Sequence, residues 1–136
     1  MVIFLDIDGV LNQLQPYRID INCVKCLSKI CRHFDASVVL TSSWRLGYSR
    51  DFNKCTKQIQ DLIETFRKYN IDIIGRTKSL SCRAREVETY IQEHNVYNYI
   101  ILDDDISEFS YKISNLYIVN YKTGLIEKDV KKLLRE

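Results

Sequence analysis

The sequence predicts one α/β domain built around a mostly parallel sheet of five strands. Short apolar runs alternate with segments of helical periodicity, and polar or acidic residues directly follow three of the apolar runs. Such alternation is typical of a parallel sheet with helices on both faces. A chain of 136 residues suits one domain with a proper core and is too short for two. We therefore expect a single domain over residues 1–136.

The first half of the chain predicts two strands and two helices. Residues 2–5 are apolar on both faces and indicate a buried strand. Asp20 is the expected N-cap of a helix. The apolar face of that helix comprises Ile21, Val24, Leu27, Ile30, Cys31 and Phe34. Residues 37–40 form the second apolar run, and residues 55–69 predict a helix. The apolar stripe of this second helix comprises Ile59, Leu62, Ile63 and Phe66.

The second half continues the alternation. Residues 71–74 predict a third strand closed by Gly75, and residues 81–94 a helix with Val87, Tyr90 and Ile91 facing inward. Further strands are expected over residues 99–102 and 116–120, and a terminal helix over residues 127–135. Residues 106–114 fit either a short helix or a loop, and Pro16 falls in the segment after the first strand.

Composition restricts the class of protein. The apolar share of 46% and the charged share of 28% are ordinary for a globular protein, and a net charge of +2 neither requires nor excludes a polyanionic partner. The N-terminal apolar run is too short for a secretion signal or a membrane span. With five cysteines, an odd number, we expect reduced thiols, a cytoplasmic location and no membrane partner. The Cys23–Cys26 pair lacks a second ligand pair, which favours core thiols over zinc.

Two carboxylates mark the end of the first strand. Asp6 and Asp8 stand one residue apart and are followed by Gly9. Ligands bind at this edge of an open α/β sheet, and two converging carboxylates repel each other unless a cation lies between them. An oxygen-ligated cation, Mg²⁺, is the expected partner. The alternative is a simple turn with a helix-capping acid.

Two other strands also end in groups suited to phosphate chemistry. Residues 41–43 are Thr41, Ser42 and Ser43, and residues 103–105 are all aspartate. Because parallel strands end at one edge, these groups can meet Asp6 and Asp8 there. Hydroxyls can donate hydrogen bonds to a phosphoryl oxygen, acids from two strands can hold Mg²⁺, and a carboxylate can attack phosphorus. Taken singly, the hydroxyls could instead cap a helix, and the acids could form a solvated loop.

An aromatic and basic segment follows the hydroxyl cluster. Trp44 and Tyr48 are interleaved with basic residues, which are Arg45, Arg50, Lys54 and Lys57. Such a surface can stack a base and hold a phosphate backbone. The alternative, which we favour, is a partly buried tryptophan among ordinary solvated charges. His33 and His94 lie late in helical patterns, where a cation suits the helix dipole, and receive no catalytic role.

The chain resembles the haloacid dehalogenase (HAD) superfamily of phosphatases. Residues 4–12, 38–45 and 99–105 carry its motifs in order. Within the superfamily, the sequence is similar to the small HAD domains found alone or fused in RNA-repair proteins, with residues 83–87 resembling their R-G-x-E-I segment and residues 123–125 adding to the likeness. The resemblance covers nearly the whole chain. It implies a Rossmann-like three-layer sandwich without a cap domain.

The resemblance also implies roles for the acids. Asp6 would be the nucleophile and Asp8 the general acid and base. Mg²⁺ would be held by Asp6, the backbone carbonyl of Asp8 and the later acids, with Asp104 as a direct ligand and Asp103 bound directly or through water.

The remaining roles fall on hydroxyls and cations. Ser42 is favoured over Thr41 as the catalytic hydroxyl. The other substrate-binding residues would be Thr41, Ser43 and Arg45. Arg83 is the expected cation beside the phosphoryl group, with Lys78 and Arg85 as rivals. An arginine here departs from the usual lysine, but a guanidinium can bind phosphate as a fork.

No insert large enough for a cap is present in residues 9–35 or 43–81. We expect an open site, shielded at most by residues 12–18 and 46–53. Capless members of the superfamily commonly act on macromolecules, so a phosphomonoesterase of nucleic-acid ends or phosphoproteins is expected. The alternatives are an inactive binding or regulatory domain on the same fold and a phospho-accepting receiver domain. The order of the motifs opposes the receiver.

Overall fold

The computed structural model of the chain describes residues 1–14, 18–109 and 113–135. Its strands are β1 (Val2–Leu5), β2 (Ser37–Leu40), β3 (Ile73–Arg76), β4 (Tyr99–Asp103) and β5 (Leu116–Ile118). Its α-helices are α1 (Ile21–Phe34), α2 (Lys57–Lys68), α3 (Arg83–His94) and α4 (Glu127–Leu134). The strands form one sheet in the order β3-β2-β1-β4-β5, and all four neighbouring pairs are parallel. The predicted α/β fold is confirmed.

Helices cover both faces of this sheet. Side chains of successive strand residues point to opposite faces, so Ile3 and Leu5 belong to one apolar cluster while Phe4 belongs to another. Helices α1, α2 and α4 supply the first cluster, and α3 packs in the second. The result is a three-layer sandwich.

The strand order places β1 at the centre. The chain moves outward through β2 to β3 and then crosses to β4, on the other side of β1. The order of the strands therefore reverses between β1 and β4, and a crevice for ligands opens at the carboxyl ends of such strands. Leu5 is in register with Leu102, so the residues that follow them, Asp6 and Asp103, reach this edge at the same level.

The predicted start of α1 is confirmed. The side chain of Asp20 accepts a hydrogen bond from the backbone N–H of Asn22 at 2.8 Å. One predicted core position on this helix is wrong, because Ile21 is 41% exposed. It lies in the first turn, where the side chain extends beyond the packed layer.

The third strand also differs from the prediction. It begins at Ile73 rather than Ile71, and Gly75 lies within it rather than closing it. Ile71 is buried but precedes the hydrogen-bonded ladder. The register between β2 and β3 shifts between Val38 and Val39, and hydrophobicity alone does not reveal such a shift. An edge strand has a neighbour on one side only, so its ends are weakly specified.

Residues 106–114 contain one turn of 3-10 helix, Ile106–Glu108, as one of the two alternatives predicted. Residues 110–112 of that segment, and Pro16, lie outside the described residues. None of the helices in the described part of the chain has the length and apolar character needed to cross a bilayer.

The cysteines are free thiols, and all except Cys82 are buried. Cys23 and Cys26 pack in the apolar cluster of α1, as the core interpretation predicted. Burial raises the pKa of the thiol of Cys23 to about 12.

Candidate active site

Three carboxylates from two strands converge at the crevice. Asp6 follows β1, Asp103 ends β4 and Asp104 follows it. One oxygen from each of the three lies within 4.8 Å of the others. The predicted meeting of acids about a hundred residues apart in sequence is therefore present in the structure.

Burial makes this acidic cluster electrostatically costly. Asp6 is 5% exposed and Asp103 is fully buried. Loss of hydration, and next the charge of Asp103, raise the pKa of Asp6 to about 9, whereas Arg83 acts in the opposite direction. Burial likewise raises the pKa of Asp103, partly offset by Arg83. Among the described residues, Arg83 alone pairs with these three acids, so the cluster favours a further cation.

Arg83 is the cation that the structure brings to the acids. It is the first residue of α3, and its Nη1 lies 2.9 Å from Asp103 Oδ2 and 3.5 Å from Asp6 Oδ1. The two rivals lie elsewhere, because Lys78 pairs with Glu93 and Arg85 is exposed. The geometry thus fits the expected role of Arg83, which remains a prediction for catalysis.

The carboxylate of Asp8 is oriented by two donors. Asn12 Nδ2 donates to Asp8 Oδ1 at 2.9 Å, and Trp44 Nε1 donates to Asp8 Oδ2 at 3.2 Å. Asp8 is half-buried, and its carboxylate is not among the three that converge. This separation suits a carboxyl group that moves a proton rather than one that binds metal. The predicted metal contact of Asp8 was through its backbone carbonyl.

Gly9 provides the space in which Asp104 sits. A Cβ atom at position 9 would lie 2.3 Å from Asp104 Oδ2, and Gly9 has a φ of +86°. Both the space and the backbone conformation disfavour any other residue. The glycine of the first motif therefore supports the approach of the β4 acids to the β1 acids.

The three hydroxyls after β2 differ in their surroundings. Ser42 Oγ accepts a hydrogen bond from the backbone N–H of Trp44 at 3.0 Å and caps a short 3-10 helix, Ser43–Gly47. Thr41 Oγ1 is buried and has no hydrogen-bond partner among the described residues. Ser43 is exposed. The helix-capping alternative therefore holds for Ser42, while Thr41 retains a free donor near the ends of the strands.

Arg45 and Trp44 point inward. Arg45 is 8% exposed, and its Nη1 donates to the carbonyl oxygens of Thr41 at 2.8 Å and Ser42 at 2.9 Å. Trp44 is 8% exposed and packs in the core. The favoured interpretation, a partly buried tryptophan, therefore fits Trp44, but Arg45 is buried and is not the solvated charge that this interpretation assumed. The predicted contact between Arg45 and substrate stays a prediction.

Two residues that support the site received no role from the sequence. Glu86 accepts from Arg45 Nη2 at 3.1 Å and from the backbone N–H of Leu80 at 2.8 Å. Asn12, 1% exposed, accepts from the backbone N–H of Gly9 at 2.9 Å while its amide holds Asp8. Asn12 stands four residues after Asp8, a spacing that could have suggested contact. No local signal connects Arg45 with Glu86.

The donor set at the crevice fits a hard divalent cation. It consists of carboxylate oxygens close enough to share one ion, and Mg²⁺ and Ca²⁺ prefer oxygen ligands. The raised pKa of Asp6, and the Thr41 hydroxyl that has no partner among the described residues, both fit a site for a cation and an oxyanion. Residues 15–17 of the expected shielding segment lie outside the described residues, and Leu46 of the other segment is 68% exposed.

Comparison with protein-family models gives a match over residues 2–130 to the family described as the HAD domain in Swiss Army Knife RNA repair proteins. Comparison with curated proteins and with solved structures gives no match. The match covers nearly the whole chain and all of the residues that form the crevice.

Proposed function

Because the chain belongs to the HAD-domain family of Swiss Army Knife RNA repair proteins, we propose that it is a Mg²⁺-dependent phosphomonoesterase acting on nucleic-acid ends. The observation that carries the proposal is the convergence of Asp6, Asp103 and Asp104 within 4.8 Å, with Arg83 bridging two of them. Membership of this family supports a phosphohydrolase-like role. The substrate class rests on the RNA-repair context of the family.

The metal would be held by Asp6, Asp103 and Asp104, where it would neutralise charge and polarise the phosphoryl group. Asp6 acts as the nucleophile. One of its carboxylate oxygens forms a bond to phosphorus as the bond from phosphorus to the leaving oxygen breaks, giving an aspartyl phosphate. Arg83 lies beside Asp6 and offsets negative charge on the phosphoryl oxygens.

Asp8 donates a proton in the first step and accepts one in the second. Its carboxyl group protonates the leaving oxygen in the first step. It then takes a proton from the water that attacks the aspartyl phosphate, which releases phosphate and restores Asp6. Asn12 and Trp44 hold the Asp8 carboxylate in one orientation, as proton transfer at a defined atom requires.

Hydrolysis of p-nitrophenyl phosphate, with Mg²⁺ and with EDTA, tests the reaction class. We expect turnover that EDTA abolishes and Mg²⁺ restores. Asp8→Asn is expected to slow the second step and to accumulate phosphorylated protein, detectable by mass. Turnover that persists in EDTA would contradict the Mg²⁺ dependence, and the absence of turnover under any condition would favour a regulatory domain on this fold.

A panel of terminally phosphorylated oligonucleotides, phosphopeptides and free nucleotides tests the substrate class. We expect the highest kcat/KM for the oligonucleotides. A strict preference for phosphopeptides would replace nucleic-acid ends by phosphoproteins, and a strict preference for a small sugar phosphate would exclude both.

A further inference from the structure

A polar groove of about 430 Å³ lies along the outer strand β3, apart from the acidic crevice. We call it the β3 groove. Its polar and aromatic walls are formed by Tyr48, Ser49, Arg50, Arg76, Tyr90 and His94. Its described lining contains two arginines and no acidic residue. The groove is therefore cationic, although the chain as a whole carries a net charge of only +2.

The two arginines keep their charge available. Arg50 is exposed and forms no ion pair with any described residue. Arg76 donates to two backbone carbonyl oxygens, those of Arg45 at 3.0 Å and Leu46 at 3.4 Å, and it forms no ion pair within the part of the chain that the structure describes. The nearby acid Glu93 pairs with Lys78 at 2.7 Å. The groove thus presents an uncompensated positive charge.

Aromatic side chains form part of the same surface. Tyr48 is half-buried, and the rings of Tyr90 and His94 stack with their centroids 3.9 Å apart. A Cβ atom at position 75 would lie 2.9 Å from the Tyr90 hydroxyl, so Gly75 keeps this hydroxyl clear of side chains from β3. Cationic grooves with aromatic rings are the usual surface for single-stranded nucleic acid.

The β3 groove shares a lining residue, Arg76, with a second cavity beside the end of β3. Arg76 also lines a smaller cavity of about 250 Å³ with Thr77, Lys78 and Ser79. Ser79 Oγ accepts from Arg45 Nη2 at 3.1 Å, and Arg45 in turn holds the carbonyl oxygens of Thr41 and Ser42. A chain of hydrogen bonds therefore connects the residues beside the β3 groove with the hydroxyl segment that follows β2.

We propose that the β3 groove binds the phosphodiester backbone of a single strand whose phosphorylated end occupies the crevice. The proposal rests on the proposed function and extends it to the body of the substrate. Arg50 and Arg76 match backbone phosphates in charge, and Tyr48 offers a ring for a base. A substrate that consists of the terminal nucleotide alone does not make these contacts.

A length series tests the proposal. Oligoribonucleotides of increasing length with a terminal phosphate are compared with p-nitrophenyl phosphate, for the wild type and for Arg50→Ala. We expect the wild-type kcat/KM to rise with length and then level off. Arg50→Ala should lower the value for long substrates by about tenfold, the usual effect of losing a charged hydrogen bond, and leave p-nitrophenyl phosphate unchanged. The slope of the logarithm of the binding constant against the logarithm of the salt concentration should decrease in magnitude by about one.

Arg32→Ala is the matched control, since Arg32 is an exposed arginine in the last turn of α1, at the opposite end of the sheet. It should leave the length series unchanged. Arg50→Lys should restore part of the lost activity. Binding of an unphosphorylated oligoribonucleotide, measured by fluorescence anisotropy, tests the groove without turnover, and Arg50→Ala should weaken it.

The outcomes separate the two proposals. One outcome is that the protein hydrolyses p-nitrophenyl phosphate while neither oligonucleotide length nor Arg50→Ala changes kcat/KM. That result overturns the groove proposal and leaves the proposed function in place. If p-nitrophenyl phosphate is not hydrolysed but Arg50→Ala weakens oligonucleotide binding, the groove stands and the proposed function does not. If Arg50→Ala instead impairs a phosphopeptide and spares oligonucleotides, the nucleic-acid assignment of the groove is overturned.

Discussion

Arg45 and Glu86 form a buried ion pair that connects the loop after β2 to helix α3. Their nitrogen and oxygen atoms lie 3.1 Å apart, with side chains only 10% and 7% exposed. Arg45 holds two carbonyl oxygens of the hydroxyl segment, while Glu86 stands one helical turn after Arg83. The pair therefore connects the hydroxyl segment to the first turn of α3, which carries Arg83.

Breaking this pair should destabilise the protein and impair turnover together. Glu86→Ala leaves the Arg45 guanidinium buried without its partner, and such a loss costs about 3–5 kcal/mol. We expect a lower free energy of unfolding in urea. The double variant Arg45→Ala/Glu86→Ala should lose less than the sum of the single variants. Lys57→Ala, which breaks an exposed pair with Asp61, is the control and should change little. Strict additivity would argue against a coupled pair.

Removing the nucleophile should abolish turnover but preserve the fold. Asp6→Asn replaces a buried carboxylate by a neutral amide of the same shape, and loss of a catalytic nucleophile costs about a million-fold in kcat in well-studied enzymes. The melting temperature of the metal-free variant should rise at neutral pH, because burial raises the pKa of Asp6 to about 9 and the amide removes the cost of burying or protonating this carboxyl group. Circular dichroism and the p-nitrophenyl phosphate assay check both points. Retained activity would refute the role of Asp6.

The two arginines of the first turn of α3 should differ sharply. Arg83→Ala removes the only described cation in contact with Asp6 and Asp103, and we expect kcat to fall about 100- to 1,000-fold. Arg85→Ala affects an exposed side chain and should change kcat less than twofold. Both variants should fold, as thermal unfolding can verify. The opposite ranking would transfer the catalytic role to Arg85.

Adding one methyl group at position 9 should weaken metal binding. In Gly9→Ala the new Cβ meets Asp104 Oδ2 at 2.3 Å in the present geometry, so the carboxylate must move. We expect Mg²⁺ affinity, measured by calorimetry, to fall about 10- to 100-fold, as when the support of a metal ligand is lost. Asp104→Asn provides the comparison. Wild-type affinity in Gly9→Ala would show that Asp104 is not a ligand.

The indole of Trp44 should matter most for substrates with poor leaving groups. Trp44→Phe removes the donor that holds Asp8 Oδ2 at 3.2 Å. If Asp8 protonates the leaving oxygen as proposed, Trp44→Phe should lower kcat roughly tenfold with an alkyl phosphate and less with p-nitrophenyl phosphate. An equal loss on both substrates would indicate a general packing defect instead. Urea unfolding measures that defect separately.

The sequence predicted the acidic crevice because each part has a local signal. An apolar run that ends in Asp6 and another that ends in Asp103 suffice once the strands are parallel. The inward orientation of Arg45 has no such signal, since its partner Glu86 stands 41 residues away. The start of β3 was misjudged for a related reason, because Ile71 is apolar to fill the core and not to pair with β2. Packing between residues distant in sequence determines both the orientation of Arg45 and the start of β3.

The central position of β1 places Asp6 directly after a strand that is paired on both sides. Phe4 and Leu5 are fully buried and lie between two paired strands, immediately before Asp6. Amide hydrogens in such a strand exchange with solvent mainly when the whole domain opens. Heat inactivation should therefore coincide with global unfolding, and no partly unfolded form should displace Asp6 while it retains the sheet.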